Sequence, residues 1–239
     1  TGRALGSVRI EDRDNRSIIL GNVAEYNEKE ETAMVTDSAV YMSYTETDTL
    51  YLHADTLRTE PDTIPDEKII SAFYGVRFFR SDLQGLCDSL VYFTRDSVIQ
   101  LYKDPVIWSE IHQLTAETIE MKQKTDAPDE LHLTGNSFII SKQDSGQFDQ
   151  IKGKEMIGYV VDQELTRIDV NGNGQTLYYA REKNEIIGLN RAESSKISIL
   201  FKEGQIFKII FRNQPEGELK PLLNLTQEDK RLQGFDWKN

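Results

Sequence analysis

The sequence predicts an all-β protein, because its apolar residues alternate with polar ones and turn signals recur along the chain. Residues 49–55 read Thr-Leu-Tyr-Leu-His-Ala-Asp, so Leu50, Leu52 and Ala54 would share one face of a strand. Turn-forming residues separate such runs at intervals of 8 to 14 residues. Residue types that strands prefer are frequent in four further alternating runs, at 97–102, 113–119, 196–201 and 205–211.

One short helix is predicted near the C-terminus, at 226–232. Thr226 would cap its first turn, Asp229 follows three residues later, and Gly234 would end the helix. The rest of the chain has no comparable helix signal. We therefore expect strands throughout and a short C-terminal helix.

The chain has 239 residues, enough for one large β domain or two smaller ones. The acidic stretch 60–67 reads as a long surface loop, since the strand pattern resumes on both sides of it without a change of composition. We therefore predict one continuous domain over 1–239, built of degenerate repeats.

The charge of the chain restricts its partners. Forty acidic and 28 basic residues give a formal net charge of -12, which argues against nucleic acid as a partner. An anionic membrane surface would be repelled for the same reason. No stretch approaches the roughly 20 consecutive apolar residues that a membrane-spanning helix needs.

Cysteine and histidine give no sign of a metal site or a nucleophile. Cys87 is the only cysteine and lies in a strand-like run, so it is interpreted as a small core residue. His53, His112 and His132 are scattered without metal-ligand spacing. His53 and His112 are expected on the solvent side of their strands.

The segment 169–174, Asp-Val-Asn-Gly-Asn-Gly, imitates the start of a calcium-binding loop. The twelfth position of such a loop would be Ala180, where a bidentate Glu is required. We interpret the segment instead as a glycine-supported hairpin turn between strands at 165–170 and 176–180.

No motif argues for an enzyme. The chain contains neither a Gly-x-Ser-x-Gly elbow nor a phosphate-binding loop. We therefore predict no catalytic residue, no metal and no cofactor. Because carboxylates are plentiful, a pair suited to glycoside hydrolysis stays open as an alternative.

A degenerate repeat runs through the first half of the chain. Residues 52–57 read Leu-His-Ala-Asp-Thr-Leu, and 114–119 read Leu-Thr-Ala-Glu-Thr-Ile. Each copy follows an aromatic residue, a strand and an acidic turn. Repetition of one β unit is typical of a structure that grows along one axis, each unit burying its face on its neighbours.

These repeat segments carry a family resemblance. The chain resembles the LptA/OstA family of lipopolysaccharide-transport proteins, and within it the large OstA-like proteins of Bacteroidetes. The resemblance covers nearly the whole chain from about Gly21, and its motifs are structural. It is carried by residues 48–55, 85–92, 96–108, 113–119, 150–159, 171–179 and 233–237.

The resemblance implies an elongated, open β-jellyroll, in which two twisted sheets form a V-shaped sandwich around an apolar groove. Such domains shield the acyl chains of lipopolysaccharide in the periplasm. They stack end to end and meet related β-jellyroll domains of the inner- and outer-membrane transport components, so a head-to-tail homo-oligomer is also expected. Family members of this type are often longer and Thr1 lies near mid-repeat, so the chain is expected to be a fragment of a longer one.

The expected groove residues are the alternating apolar residues of strands with a clear face. An open β-sandwich sends every second side chain inward, where it can line a channel for acyl chains. The predicted groove residues are Leu50, Leu52, Ala54, Ile99, Leu101, Val106, Trp108, Leu114 and Ala116.

Two other function classes stay open on the sequence alone. A carbohydrate-active enzyme on a β-sandwich or β-helix would need two carboxylates in a cleft, about 5 to 9 Å apart. A structural or adhesive β-repeat protein would have a closed, tightly packed interior. The lipid carrier is the leading hypothesis.

Overall fold

The computed structural model describes residues 1–14, 16–143, 146–162, 164–182 and 185–238. The chain is all-β, with 73% of it in strands and 1% in helix, which confirms the predicted class. The strands are β1 Gly2–Asp12, β2 Ser17–Asn27, β3 Thr32–Tyr44, β4 Thr49–Pro61, β5 Lys68–Arg80, β6 Leu83–Phe93, β7 Val98–Tyr102, β8 Val106–Ser109, β9 His112–Thr115, β10 Thr118–Lys122, β11 Asp129–Lys142, β12 Phe148–Val161, β13 Glu164–Glu182, β14 Glu185–Lys202, β15 Gln205–Arg212 and β16 Glu216–Lys220.

The chain divides into two compact units. Unit 1 comprises 1–109 and 120–123, and unit 2 comprises 110–119 and 124–239. In unit 1, strands β1 to β7 pair antiparallel in chain order, and β8 also pairs with β6. In unit 2, β11 to β15 pair in chain order, β9 pairs with β11, and β16 pairs with β14. The predicted single continuous domain over 1–239 stays a prediction.

The strand order is not clearly that of a jellyroll. Six strands close into a barrel. Jellyrolls are built from Greek-key connections, whereas most strands here pair with the next strand along the chain. The V-shaped two-sheet arrangement that the resemblance implies therefore stays a prediction.

Long strands bend at their midpoints, where two consecutive residues have positive φ. The ladder register shifts at the same points, as in a β-bulge, and bulges bend a strand and increase its twist. Corresponding pairs, Lys103-Asp104 and Asn213-Gln214, separate β7 from β8 and β15 from β16. The pairs within strands are Gly6-Ser7, Asp37-Ser38, Tyr74-Gly75, Gly135-Asn136 and Gly172-Asn173.

The hairpin predicted at 169–174 is wrong. β13 continues through this segment, and the register with β14 shifts between Asn171 and Gly174. Gly172 and Asn173 have φ values of 77° and 49°, so the glycine-rich segment forms a bulge instead of a turn. Glycine and asparagine favour both structures because both need left-handed backbone.

The repeat motif lies at these bends. In both predicted copies the first, third and sixth residues are buried, as with Leu52, Ala54 and Leu57. A third copy, at 85–90, reads Gly-Leu-Cys-Asp-Ser-Leu and has the same burial. Its third residue is Cys87, which confirms the core role predicted for this cysteine, and burial raises the pKa of its thiol to about 12.

In two copies, the acidic fourth residue of the motif contacts the left-handed pair that follows in the neighbouring strand. Asp88 Oδ2 lies 3.0 Å from Lys103 Nζ, and Asn136 Nδ2 donates to Glu117 Oε1 at 2.8 Å. The Glu117 amide also donates to the Gly135 carbonyl at 2.9 Å. In these two copies the motif therefore combines small buried residues at the bend with an acidic side chain that contacts a side chain of the left-handed pair.

Gly85 allows close backbone approach at one of these bends, so Gly85→Ala should destabilise the protein by about 1 to 3 kcal/mol. An added Cβ would lie 2.7 Å from the Val106 carbonyl oxygen and would collide with the Phe78 ring. Urea denaturation measures the effect. Gly2→Ala is the control, since a Cβ at Gly2 meets nothing within 4 Å. Equal midpoints for the two variants would contradict this packing.

The short helix predicted at 226–232 is wrong. Thr226 and Asp229 do exchange the expected capping bonds, with the Asp229 amide donating to Thr226 Oγ1 at 3.2 Å. One turn forms, after which the Leu232 amide donates to Gln150 Oε1 at 2.8 Å instead of continuing a helix. The only helix in the described residues is the 3-10 turn Leu222–Asn224.

Candidate functional site

Cross-strand pairs define which side chains of unit 1 share a face of the sheet. Leu52 pairs with Tyr41 on one side and with Phe78 on the other. Continued in both directions, these pairs form an apolar row, here called inner row A, that crosses six strands of the meander and β8. Its members are Ile10, Ile19, Tyr41, Leu52, Phe78, Gly85 and Ile107.

A second apolar row lies beyond the bends of the same strands. Leu57 pairs with Val35 and with Ala72 in this row, here called inner row B. Both rows contain the buried residues of the repeat motif, so they belong to one interior face. The members of inner row B are Ala4, Ala24, Val35, Leu57, Ala72, Leu90 and Leu101.

The side chains of this interior face become more exposed to solvent from β8 towards β1. Leu52 and Phe78 are buried, Ile19 and Tyr41 are half-buried, and Ile10 is 43% exposed. All residues of β1 except Val8 are exposed. The apolar face is therefore filled by its own side chains at β4 to β8 and accessible to solvent at β1.

A cleft of about 500 Å³ lies at the same edge of unit 1. Tyr26 and Ala33 line it together with Arg3 and Arg58. Arg3 Nε lies 3.2 Å from Glu25 Oε1, and Arg58 Nη2 lies 2.8 Å from Glu60 Oε2. The cleft thus combines apolar surface with two arginines.

Five of the predicted groove residues lie on the interior face of unit 1. Leu50, Leu52 and Ala54 alternate along β4, and Ile99 and Leu101 alternate along β7. Leu52, Ala54 and Leu101 are buried, while Leu50 and Ile99 are half-buried.

Val106 and Trp108 lie on the opposite face. In β8 the residue opposite Gly85 of inner row A is Ile107, so the flanking Val106 and Trp108 point the other way. Three consecutive apolar residues allow either phase, and alternation alone could not distinguish the two.

The last two predicted groove residues belong to unit 2. Leu114 pairs with Ile139, and both Leu114 and Ala116 are buried. Equivalent repeat positions therefore have equivalent burial in the two units.

The large, partly accessible residues of inner row A were missed in the sequence. Ile10, Ile19 and Tyr41 lie in β1 to β3, where 17–20 reads Ser-Ile-Ile-Leu. This run does not alternate, so the sequence alone does not show which of its residues face the interior. The pairing of Ile19 with Tyr41 identifies Ile19 as the inward-facing residue.

In unit 2 the other face of the sheet is covered by the C-terminal segment 225–238. Leu232 is 2% exposed and packs into an apolar cluster, against which Phe235 and Trp237 also pack. The Phe148 ring lies 5.3 Å from that of Phe235 and 5.4 Å from that of Trp237. The buried members of the cluster are Phe138, Ile140, Leu177, Tyr179, Leu189 and Leu232.

Two buried glutamines bind the backbone of this segment in the same way. Gln150 donates to the Lys230 carbonyl and accepts from the Leu232 amide, both at 2.8 Å. Gln113 donates to the Asp236 carbonyl and accepts from the Lys238 amide, both at 2.7 Å. Each side-chain amide thus binds the C=O of one residue and the N–H of the second residue after it.

His112 is buried, so the predicted solvent position is wrong. Its Nδ1 lies 2.7 Å from Ser141 Oγ, and its ring contacts Phe201 edge-on at 6.0 Å. Burial lowers the pKa of His112 to about 4. The prediction failed because His112 lies on the same face of β9 as Leu114, two residues further on, and that face is covered. His53 is exposed as predicted.

Asp149 is a second buried titratable group of unit 2. It accepts hydrogen bonds from the Tyr179 amide at 2.9 Å and from Gln143 Nε2 at 2.8 Å. Desolvation outweighs these bonds and raises its pKa to about 6. A raised carboxyl pKa marks functional sites in some proteins, but here both oxygens serve the packing of neighbouring strands.

Among the described residues, no three or more His, Cys, Asp or Glu side chains are grouped so that they could hold a metal ion. The same residues contain no helix whose length and apolarity would allow it to cross a membrane.

Comparison with protein-family models and with curated protein sequences gives no match to this chain. The resemblance to the LptA/OstA family therefore stays a prediction from the sequence.

Proposed function

We propose that this chain is a periplasmic lipopolysaccharide-binding transport protein, which shields acyl chains along the interior face of its bent sheet. The observation that carries the proposal is the gradual opening of that face, from buried Phe78 to half-buried Ile19 and exposed Ile10. The paired left-handed residues at the strand midpoints support a V-shaped arrangement, because they bend consecutive strands of each unit at one line.

The physical need for such a face follows from the cost of exposing an acyl chain to water. Each methylene contributes about 0.8 kcal/mol, so a chain of a dozen carbons costs on the order of 10 kcal/mol. A closed pocket would remove this cost but release the lipid slowly. A partly open apolar face lowers the cost and still lets the lipid leave.

The cleft at the β1 edge is a candidate site for the phosphate groups of the lipid. Arg3 and Arg58 lie on one cross-strand row, separated by Glu25 and Met34. Arginine is well suited to phosphate because its planar guanidinium donates two parallel hydrogen bonds. Both arginines have acidic partners, Glu25 and Glu60, and their row adjoins inner row B, so they lie on the opposite face of the sheet. Phosphates of lipid A would reach them around the β1 edge.

The β1 edge also supports the proposed partners. An exposed edge strand presents unpaired N–H and C=O groups that pair readily with another strand. Related β-jellyroll domains of the membrane transport components, or another copy of this chain head to tail, would extend both the sheet and its apolar face.

Neighbouring residues of β2 test the lipid-binding face. Ile19 lies in inner row A, while Ile18 pairs with Met42 on the opposite face, and both are half-buried. Ile19→Asp should reduce lipopolysaccharide binding roughly tenfold or more, since it places a charge among the acyl chains. Binding to fluorescent lipopolysaccharide measures the effect.

Ile18→Asp is the matched control and should bind lipopolysaccharide as the wild type does. Circular dichroism and urea denaturation of both variants verify that each is folded. Equal lipid binding by folded Ile19→Asp and folded Ile18→Asp would exclude the proposed face.

A further inference from the structure

We infer that the outer face of unit 1, around Phe79 and Gln84, is a binding site for an extended polypeptide segment that resembles 225–238 in chemistry. This site lies on the face opposite the proposed lipid-binding face. It rests on a comparison of the two units strand by strand, and it does not depend on the proposed function.

The repeat motif fixes the correspondence between the units. Leu52 and Leu114 begin equivalent copies, and their cross-strand partners are Phe78 and Ile139. The row beside them in unit 2 is Gln113, Ile140, Gln150 and Leu177. The equivalent row in unit 1 is Tyr51, Phe79, Gln84 and Trp108.

The two rows differ in what covers them. In unit 2 the row is buried beneath the C-terminal segment, whose Leu232 packs beside it. In unit 1, Tyr51 is 46% exposed, Phe79 is 52% exposed, and Gln84 is exposed between Phe79 and Trp108. Large apolar side chains clustered on an exposed sheet face are typical of a binding surface.

Glutamine side chains are a specific feature that the two faces share. A glutamine directly precedes two copies of the motif, as Gln84 and Gln113. Gln150 precedes 151–156, whose first, third and sixth residues are buried as in the motif. The two in unit 2 bind backbone C=O and N–H groups two residues apart in the C-terminal segment. Gln84 occupies the position of Gln150 and presents the same amide to solvent.

The adjacent row repeats a second feature of the covered face. In unit 2, Phe138 pairs with Lys152, whose Nζ donates to the Gln233 carbonyl at 2.7 Å. The equivalent pair in unit 1 is Arg77 and Leu86, so the cation and the apolar residue are exchanged between strands. Unit 1 thus offers an amide, a cation and aromatic surface to a segment with exposed backbone groups and large apolar side chains.

A labelled peptide tests the site. Fluorescein-labelled peptide 225–238, carrying a photo-crosslinker in place of Leu232, is titrated into the full chain and followed by anisotropy. We expect saturable binding with crosslinks in 77–86. Phe79→Ser and Gln84→Ala should each weaken binding roughly fivefold or more.

Ile64→Ser is the matched control, because Ile64 is an exposed apolar residue in a turn of unit 1 outside the row. It should bind the peptide as the wild type does. Self-association of the full chain that is lost in the Phe79 and Gln84 variants would support the site and identify a second copy as the source of the segment. Absence of saturable binding, binding insensitive to both substitutions, or crosslinks confined to 138–152 would overturn the inference.

Discussion

Leu232→Ala should lower the free energy of unfolding by about 2 to 5 kcal/mol, the range for truncating a fully buried leucine. Leu232 packs among Phe138, Ile140, Leu177 and Leu189. Its backbone amide is also bound by Gln150, so the adjacent chain is held in place and cannot easily collapse into the cavity. Urea denaturation followed by tryptophan fluorescence measures the change, because Trp237 lies in the same segment.

Leu223→Ala is the matched control for this substitution. Leu223 precedes the same segment but is 93% exposed, so its truncation should change stability by less than about 0.5 kcal/mol. Similar losses of stability for the two variants would mean that the segment does not pack on unit 2 in solution. Leu232 packs on the covered outer face of unit 2 and not on the interior face, so the substitution tests the packing of the outer face alone.

The sequence was sufficient for fold class because alternation and turn residues are local signals. The same signals could not distinguish a turn from a bulge at 171–174, since Gly and Asn favour both. Whether Gly172 reverses the chain or bends it depends on the strand that pairs beside it, here β14. The repeat motif was found, but its place at the bends became visible only through the positive φ values beside it.

The candidate site was predicted in part, for a related reason. Alternation in β4 identified the interior face correctly at Leu50, Leu52 and Ala54. It failed where several apolar residues follow one another, as in 17–20 and 106–108, because the phase of a strand is then set by its partner. Burial within the face could not be predicted at all, since it depends on how many strands cover each row.

One signal in the sequence could have revealed the covered outer face of unit 2. Residues 137–141 read Ser-Phe-Ile-Ile-Ser and are all buried. A continuous apolar run of this kind indicates a strand with both faces covered. What covers the second face was not predictable, because the segment binds through its backbone and so leaves little pattern in its side chains.

The pH dependence of stability should be dominated by two buried groups that act in opposite directions. The pKa of Asp149 rises from 3.8 to about 6 on folding, so its charged form is disfavoured in the fold. The protonated carboxyl stabilises the fold at low pH, and this contribution is lost as the pH rises from about 4 to 6. The pKa of His112 falls from 6.5 to about 4, so stability present above pH 6.5 is lost as the pH falls towards 4.

The two effects should nearly cancel in the wild-type protein. Each pKa change corresponds to roughly 3 kcal/mol, and the two pH windows overlap between about pH 4 and 6. The carboxyls with lowered pKa values nearer the surface, such as Asp48 and Asp88, reduce stability only below about pH 4. We therefore expect a nearly flat stability profile between pH 4 and 6.

Single substitutions should separate the two contributions. Asp149→Asn keeps an acceptor for the Tyr179 amide but removes the titration, so stability should fall by roughly 3 kcal/mol as the pH decreases from 6.5 to 4. His112→Asn removes the opposite titration, so stability should fall by a similar amount as the pH increases from 4 to 6. Urea denaturation at half-unit pH intervals measures both slopes. A flat profile in both single variants would show that neither group is desolvated in solution, whereas slopes of opposite sign, abolished in the double variant, would establish that burial of Asp149 and His112 sets the acid stability of unit 2.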